Sequence, residues 1–259
     1  MSSNSRHNRN STSDRTLQIL GLFNDQRIRL TPAQIMRELD ISRSTAYRYI
    51  QSLVNEQFLE SAPDGSLRLG MRVLELARLA RAGYGLSELA VPVMRQLAAA
   101  HKQTVLLTVL MGRSVVCLER EESPDQFVRL SYEPGVELPL NAGASALVLL
   151  AWKPRAELRA LLGNSMRRFT ENTITDIDEL LERLDTIRAA GEVVTLAEVD
   201  RDALGIAVPL MAGDGEVVGG LSIVALQSRF SEEQQSRALE DLHGAADRIS
   251  SRLRLANPR

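Results

Sequence analysis

The stretch from Thr31 to Gly70, TPAQIMRELDISRSTAYRYIQSLVNEQFLESAPDGSLRLG, leaves few choices for the first third of the chain. Thr31 can cap a helix that opens on Pro32, where a missing N–H costs nothing. Ile35, Met36 and Leu39 give that helix one apolar face, and Asp40-Ile41 supplies a turn. Ser42 can cap a second helix through Tyr49, Ile50, Leu53 and Val54, in which Ala46, Ile50 and Leu53 face inward at helical spacing. Phe58-Leu59-Glu60 and Ser66-Leu67-Arg68-Leu69 then flank the turn former Pro63-Asp64-Gly65, which predicts a small hairpin. Two short helices, a tight turn and a Gly-tipped hairpin are, in that order, the outline of a winged helix-turn-helix.

The outward face of the second helix carries Ser42, Arg43, Ser44, Thr45, Tyr47 and Arg48. Short hydroxyls and arginines near a helix N-terminus suit base edges and phosphates of the major groove, so these six are the expected DNA-binding residues. The bland alternative is an ordinary helical hairpin with a solvated polar face, but the ordered combination favours DNA. Arg6, Arg9 and Arg15 add positive charge upstream, although a Ser- and Asn-rich stretch of this kind is equally a solvated tail.

Composition limits the rest. A chain of 259 residues with 44% hydrophobic content can form two domains, each with its own core. A formal net charge of -2 fits a slightly basic reader joined to a slightly acidic sensor, with DNA contact confined to the N-terminal third. The single cysteine, Cys117, excludes an internal disulfide and lies in an apolar stretch, where a buried structural thiol is expected. No apolar run spans a bilayer, and the polar N-terminus lacks a signal-peptide core, so a cytoplasmic protein without membrane contact is expected.

Beyond the hairpin, Met71 to Ala82 forms an amphipathic helix ended by Gly83, which serves either as a linker packed on its own domain or as a dimer contact. From Leu86 the pattern is mixed. Helices are expected at Leu86–Ala100, Ala144–Ala151, Pro154–Leu162 and Ile177–Ala190, with a terminal helix capped by Ser231. Strands are expected at Thr104–Met111, through Val115, Val116 and Leu118, within Phe127–Tyr132, and at Glu192–Leu196, Leu204–Met211 and Val217–Ala225; Gly213-Asp214-Gly215 turns between the last two. The alternation predicts a sheet with helices against it. His7, His101 and His243 are scattered, without partners at metal-ligand spacing, and His101 is expected to interact with the carboxyl end of its own helix. No nucleophile elbow, phosphate loop or zinc motif occurs, so no catalytic residue, metal or cofactor is expected.

Three segments carry a family resemblance: the reader LDISRSTAYRYIQSL with the wing ending LRLG; LPLNAGASALVLLAW from Leu138 to Trp152; and GEVVTLAEVDRDALGIAVPLMAGDGEVVGGLSIV from Gly191 to Val224. Together they resemble the IclR family of bacterial transcriptional regulators, over nearly the whole chain from about Asp14 to Leu255. The resemblance implies an α+β protein of two domains, with the winged helix-turn-helix joined by a linker helix to an α/β, GAF-like effector-binding domain. Its parts are a flexible tail at 1–11, the DNA-binding domain at 12–72, the linker helix at 73–84 and the effector-binding and dimerisation domain at 85–257.

Carried over by position, the resemblance places an effector pocket at the amides of Ala144 and Ser145, with Thr195, Ala203, Gly205, Ser222 and Val224. A helix N-terminus is a reasonable seat for a carboxylate. Asn141 stands where the family usually has histidine, and Ala146-Leu147 where it has Gly-Lys, so the helix after Leu138 is more apolar than usual. The implied partners are a pseudo-palindromic double-stranded operator and a small organic-acid or aromatic-acid effector. The implied assembly is a homodimer, with a tetramer as the alternative. Two rivals stand beside this regulator: a small-molecule enzyme with an attached DNA-binding segment, and a constitutive DNA-binding protein whose C-terminal domain only dimerises.

Overall fold

The computed structural model describes residues 12–24, 26–83, 85–125, 132–163, 166–213 and 215–256. The chain divides into two compact units, Met1–Gly83 and Tyr84–Arg259.

The first unit contains α1 (Thr12–Leu20), α2 (Pro32–Leu39), α3 (Arg43–Asn55), β1 (Leu59–Ser61), β2 (Leu67–Leu69) and α4 (Met71–Gly83). Thr31 caps α2 reciprocally: its hydroxyl accepts from the Gln34 amide at 3.3 Å, and the Gln34 side chain accepts from the Thr31 amide at 2.7 Å. The turn into α3 is made by Asp40 in the left-handed region, φ 48°. Ile19, Ile35, Ala46, Ile50, Leu53, Leu59 and Leu67 are buried together, so the helical and strand apolar faces meet in one core. Leu59 pairs with Leu69 and Ser61 with Leu67 across the wing. Asp64 orders the tip, accepting from both the amide and the hydroxyl of Ser66, and these bonds hold its carboxyl below the ordinary range. At the wing's end, Gly70 lies so close to Gln57 that a Cβ there would sit 2.1 Å from the Gln57 carbonyl oxygen.

The second unit is built on six antiparallel strands in the order β5-β4-β3-β8-β7-β6: β3 (Thr104–Met111), β4 (Ser114–Glu121), β5 (Glu137–Leu138), β6 (Val193–Leu196), β7 (Ala203–Met211) and β8 (Val217–Leu226). One face is covered by α5 (Leu86–His101) and α9 (Glu232–Ala256), the other by α6 (Ala144–Leu150), α7 (Arg155–Leu162) and α8 (Ile177–Ala190). Strand alternation divides the residues cleanly. Leu204, Ile206, Val208, Leu221, Ile223 and Ala225 join the α5/α9 core, while Ala207 and Val224 join the core beneath α6 and α8.

The expected strand within Phe127–Tyr132 falls mostly on residues 126–131, outside the described residues, as do the tail at 1–11 and Asp214 of the expected turn. The described partner at that edge of the sheet is β5, whose Leu138 pairs with Val115. Ser231 caps α9 through the Gln234 amide, and Cys117 is fully buried. His101 stands in the last turn of its own helix, as expected, and also reaches a neighbouring one. Its Nε2 lies 2.9 Å from a carboxylate oxygen of Asp241, because α5 packs alongside α9 and brings the neighbouring helix closer. Among the described residues no helix is long and apolar enough to cross a membrane.

Candidate functional site

Two regions gather the residues singled out above. In the first unit, α3 turns Ala46, Tyr49, Ile50 and Leu53 into the core, which leaves Ser42, Arg43, Ser44, Tyr47 and Arg48 exposed and Thr45 half-buried. Ser42 is the N-cap. Its oxygen accepts from the Thr45 amide at 3.3 Å, and its proton is directed to Thr45 Oγ1 at 2.9 Å. The Arg43 guanidinium lies 5.5 Å from the Tyr47 ring centre and that of Arg48 lies 5.4 Å from the Tyr49 ring. Aromatic faces thus steer both cations while leaving their five-donor forks open toward solvent. A guanidinium fork is a group suited to phosphates and guanine edges.

In the second unit, a cavity of about 30 Å³, partly open to solvent, lies beneath the start of α6, so a ring-sized ligand enters it by displacing part of its walls. Its wall is mainly apolar, with Leu138, Pro139, Ala142, Ala144, Val199, Ala203 and Val224; Tyr132, Ser145, Thr195 and Glu198 are its polar members. Strand register explains the assembly. Thr195 on β6 pairs with Gly205 on β7, and Gly205 pairs with Val224 on β8, so one row across the sheet floors the cavity. Gly205 makes the approach of α6 possible, since a Cβ there would fall 2.9 Å from Thr195 Oγ1 and 3.1 Å from the Ala144 Cβ.

Two amides at the start of α6 are already engaged. Ala144 N–H donates to Thr195 Oγ1 at 3.1 Å, and Gly143 N–H donates to the Glu198 carboxylate at 3.0 Å. Thr195 accepts in this bond and so keeps its own proton to donate into the cavity. Glu198 is 5% exposed, and its other oxygen lies 2.7 Å from Arg183 of α8. Burial pushes the Glu198 carboxyl above its ordinary value, with the Gly143 amide and Arg183 opposing. Burial also pushes the Tyr132 phenol up to about 12, reinforced by the negative charge of Asp200, so this hydroxyl is a neutral donor at physiological pH.

Of the seven residues carried to the pocket, Ala144, Ser145, Thr195, Ala203, Gly205 and Val224 line the cavity. Ser222 does not. It is fully enclosed behind the wall, with its hydroxyl oxygen 2.7 Å from that of Ser145. Asn141, standing at the family's histidine position, is 1% exposed and ties a neighbouring segment: its Nδ2 donates to the carbonyls of Arg167 and Ile174, and its Oδ1 accepts from the Arg167 amide. Sequence reading passed over Glu198, Tyr132, Pro139 and Val199. For Glu198 the available signal was an acidic residue within an otherwise matching family segment, to which no role was given. Among the described residues no cluster of His, Cys, Asp and Glu could hold a metal ion.

Comparison with known proteins finds a match for each unit. Residues 12–63 match the IclR helix-turn-helix domain, and residues 80–251 match the family described as bacterial transcriptional regulator IclR C-terminal. The chain is 32% identical over 222 residues to the HTH-type transcriptional regulator KdgR of Escherichia coli, covering 85% of this chain and 84% of that protein. It is 30% identical over 243 residues to XynR of the same organism, covering 93% and 96%. Among solved structures, an IclR homolog from Microbacterium hydrocarbonoxydans complexed with 4-hydroxybenzoate aligns with a TM-score of 0.81 at 31% identity, over 95% of this chain and all of that one. The molecule is therefore a helix-turn-helix transcriptional regulator with an effector-binding domain, and not an enzyme. By both of its domains, the chain belongs to the IclR family of bacterial transcriptional regulators.

Proposed function

We propose that this regulator reads a pseudo-palindromic operator as a homodimer, and that a small organic acid in the α6 cavity changes its affinity for DNA. The observation that carries the reading is the exposed face of α3, where Arg43, Ser44, Tyr47 and Arg48 stand clear of a helix otherwise buried on one side. Ser42 and Thr45 set the start of that helix and approach the sugar-phosphate backbone as short hydroxyls. Two copies related by two-fold symmetry present two such helices to half-sites about one turn, or a multiple, apart.

The cavity supports the effector half of the proposal. Tyr132 and Thr195 offer donors above an apolar floor of Ala203 and Val224, a combination suited to a small acid with an apolar or aromatic body. A relative of 31% identity has been crystallised with 4-hydroxybenzoate, which belongs to this class. The effector acts by binding one arrangement of the two readers more tightly than another, and its influence on DNA affinity equals that differential binding.

The test is selection of binding sites from random duplex DNA by the full chain, followed by titration of the selected duplex with small carboxylic acids. Recovery of an inverted repeat whose retention changes with an acid supports the proposal. Recovery of no preferred sequence overturns the reader, and a preferred sequence insensitive to every acid overturns the effector.

A further inference from the structure

We propose that Glu198 determines the charge of the ligand this pocket accepts: neutral, hydrogen-bond-donating ligands bind directly, whereas a carboxylate binds together with one proton. The inference rests on the effector cavity proposed above and concerns how an acid can enter it.

Both oxygens of Glu198 are already in use. One accepts from Gly143 N–H at 3.0 Å and the other lies 2.7 Å from Arg183 Nη2. The residue cannot easily swing away, because its backbone is clasped as well. Thr173 Oγ1 donates to the Glu198 carbonyl at 2.7 Å, Thr170 Oγ1 donates to the Ala197 carbonyl at 2.6 Å, and Ala197 holds a left-handed φ of 53°. The position beside the start of α6, where an entering carboxylate would find an amide, is thus held by a carboxylate of the chain itself.

Among the described residues, Arg183 is the positive charge set against Glu198, and it is already paired with it. The ranges of α6, β6, β7 and β8 contain no titratable side chain, so every wall contributed by those elements is neutral. Among the described residues, the charged or titratable groups nearest Glu198 are Arg183 from α8, Tyr132 before β5 and Asp200 in the same loop, which also carries Arg201 and Asp202 with their side chains exposed to solvent. Two carboxylates meeting in one buried site share a proton, as in other carboxylate pairs. The balance is simple: a proton from solvent forms an O–H bond on one of the two carboxylates, and that O–H donates to the remaining anion. Burial, which makes the Glu198 carboxyl a weaker acid than usual, lowers the cost of this uptake. A neutral ligand bearing an amide or hydroxyl donates to Glu198 without any proton change.

The experiment uses the full-length protein, Glu198→Gln, and two matched pairs of probes, benzoate with benzamide and 4-hydroxybenzoate with 4-hydroxybenzamide. Calorimetry in two buffers of different ionisation enthalpy counts protons taken up on binding. Wild type should take up about one proton per acid, with affinity falling up to about tenfold per pH unit as pH rises, and none per amide. Glu198→Gln should bind the acids at least tenfold more tightly at pH 8 with no proton uptake. Acid binding to wild type without proton uptake overturns the role of Glu198 while leaving the effector cavity standing, and this arm needs no variant to fold. Unchanged acid affinity in a folded Glu198→Gln protein overturns it equally. Failure of all four probes to bind either protein removes the cavity as a receptor for this class, and the inference with it.

Discussion

The hydroxyl oxygens of Ser145 and Ser222 lie 2.7 Å apart with both residues buried, joining the first turn of α6 to the middle of β8. Thr108 strengthens the join from β3, donating to the Ser145 carbonyl at 2.9 Å. Because Ser222 is sealed behind the cavity wall, Ser222→Ala should cost stability more than ligand affinity. Leaving Ser145 without its partner costs about 1–3 kcal/mol, read as a lower urea midpoint, while calorimetry should show affinity for a cavity ligand within about threefold of wild type. A large affinity loss with unchanged stability would place Ser222 on the ligand after all. Ser222→Asp is a poor probe here, since an unpaired carboxylate at an enclosed site unfolds the domain before it repels anything.

Gly205→Ala tests the floor of the cavity. The added methyl would press on Thr195 Oγ1 and Ala144 Cβ, separating the Ala144 amide from its acceptor. Overpacking should cost about 1–3 kcal/mol, and ligand affinity should fall at least tenfold, about 1.4 kcal/mol. Chemical denaturation and calorimetry on the same preparation separate the two effects.

Arg43→Ala with Arg48→Ala should abolish selective operator binding while the circular dichroism spectrum stays that of the wild type, because both side chains are exposed. If both arginines meet phosphates, the slope of log affinity against log salt should fall by about 2. If they meet bases, the slope is kept and discrimination between sequences collapses. Wild-type affinity in the double variant at physiological salt would remove α3 as the reader.

Association should depend on α4, which leaves Met71 and Leu74 about two-thirds exposed and Leu79 about half exposed. In the proposed homodimer, Leu74→Glu would put a charge where burying a leucine is worth about 1.5–3 kcal/mol, so sedimentation should show weaker association than for wild type. An unchanged dimer would assign self-association to the second unit alone.

The helix-turn-helix and its wing were legible because their determinants are local, whereas α1, which adds Ile19 to the same core, was not read. Thr31, Ser42 and Gly65 act within three or four residues of themselves, and the apolar spacing of α2 and α3 names their buried faces without reference to the rest of the chain. Five of the six described strands of the second unit, all but the two-residue β5, were equally plain, but the cavity was not. It is assembled from Leu138, Ala144, Thr195, Gly205 and Val224, which only the strand register brings together. Glu198 escaped notice because an acidic residue beside Asp200 and Asp202 reads as part of a solvated loop. Its burial depends on Arg183 from a different helix and on the Thr170 and Thr173 hydroxyls, none of which lies near it in sequence.

The alternation along β7 and β8 divides each strand into two independent tracks. Ala203, Gly205 and Val224 face the cavity, whereas Leu204, Ile206, Ile223 and Ala225 are sealed beneath α5 and α9. A new ligand preference can therefore be written on every second residue while the intervening ones keep the domain folded. In the proposed effector site the two strands therefore interleave recognition and scaffold on a single backbone, and a change of ligand preference can proceed in steps of two residues without renegotiating stability.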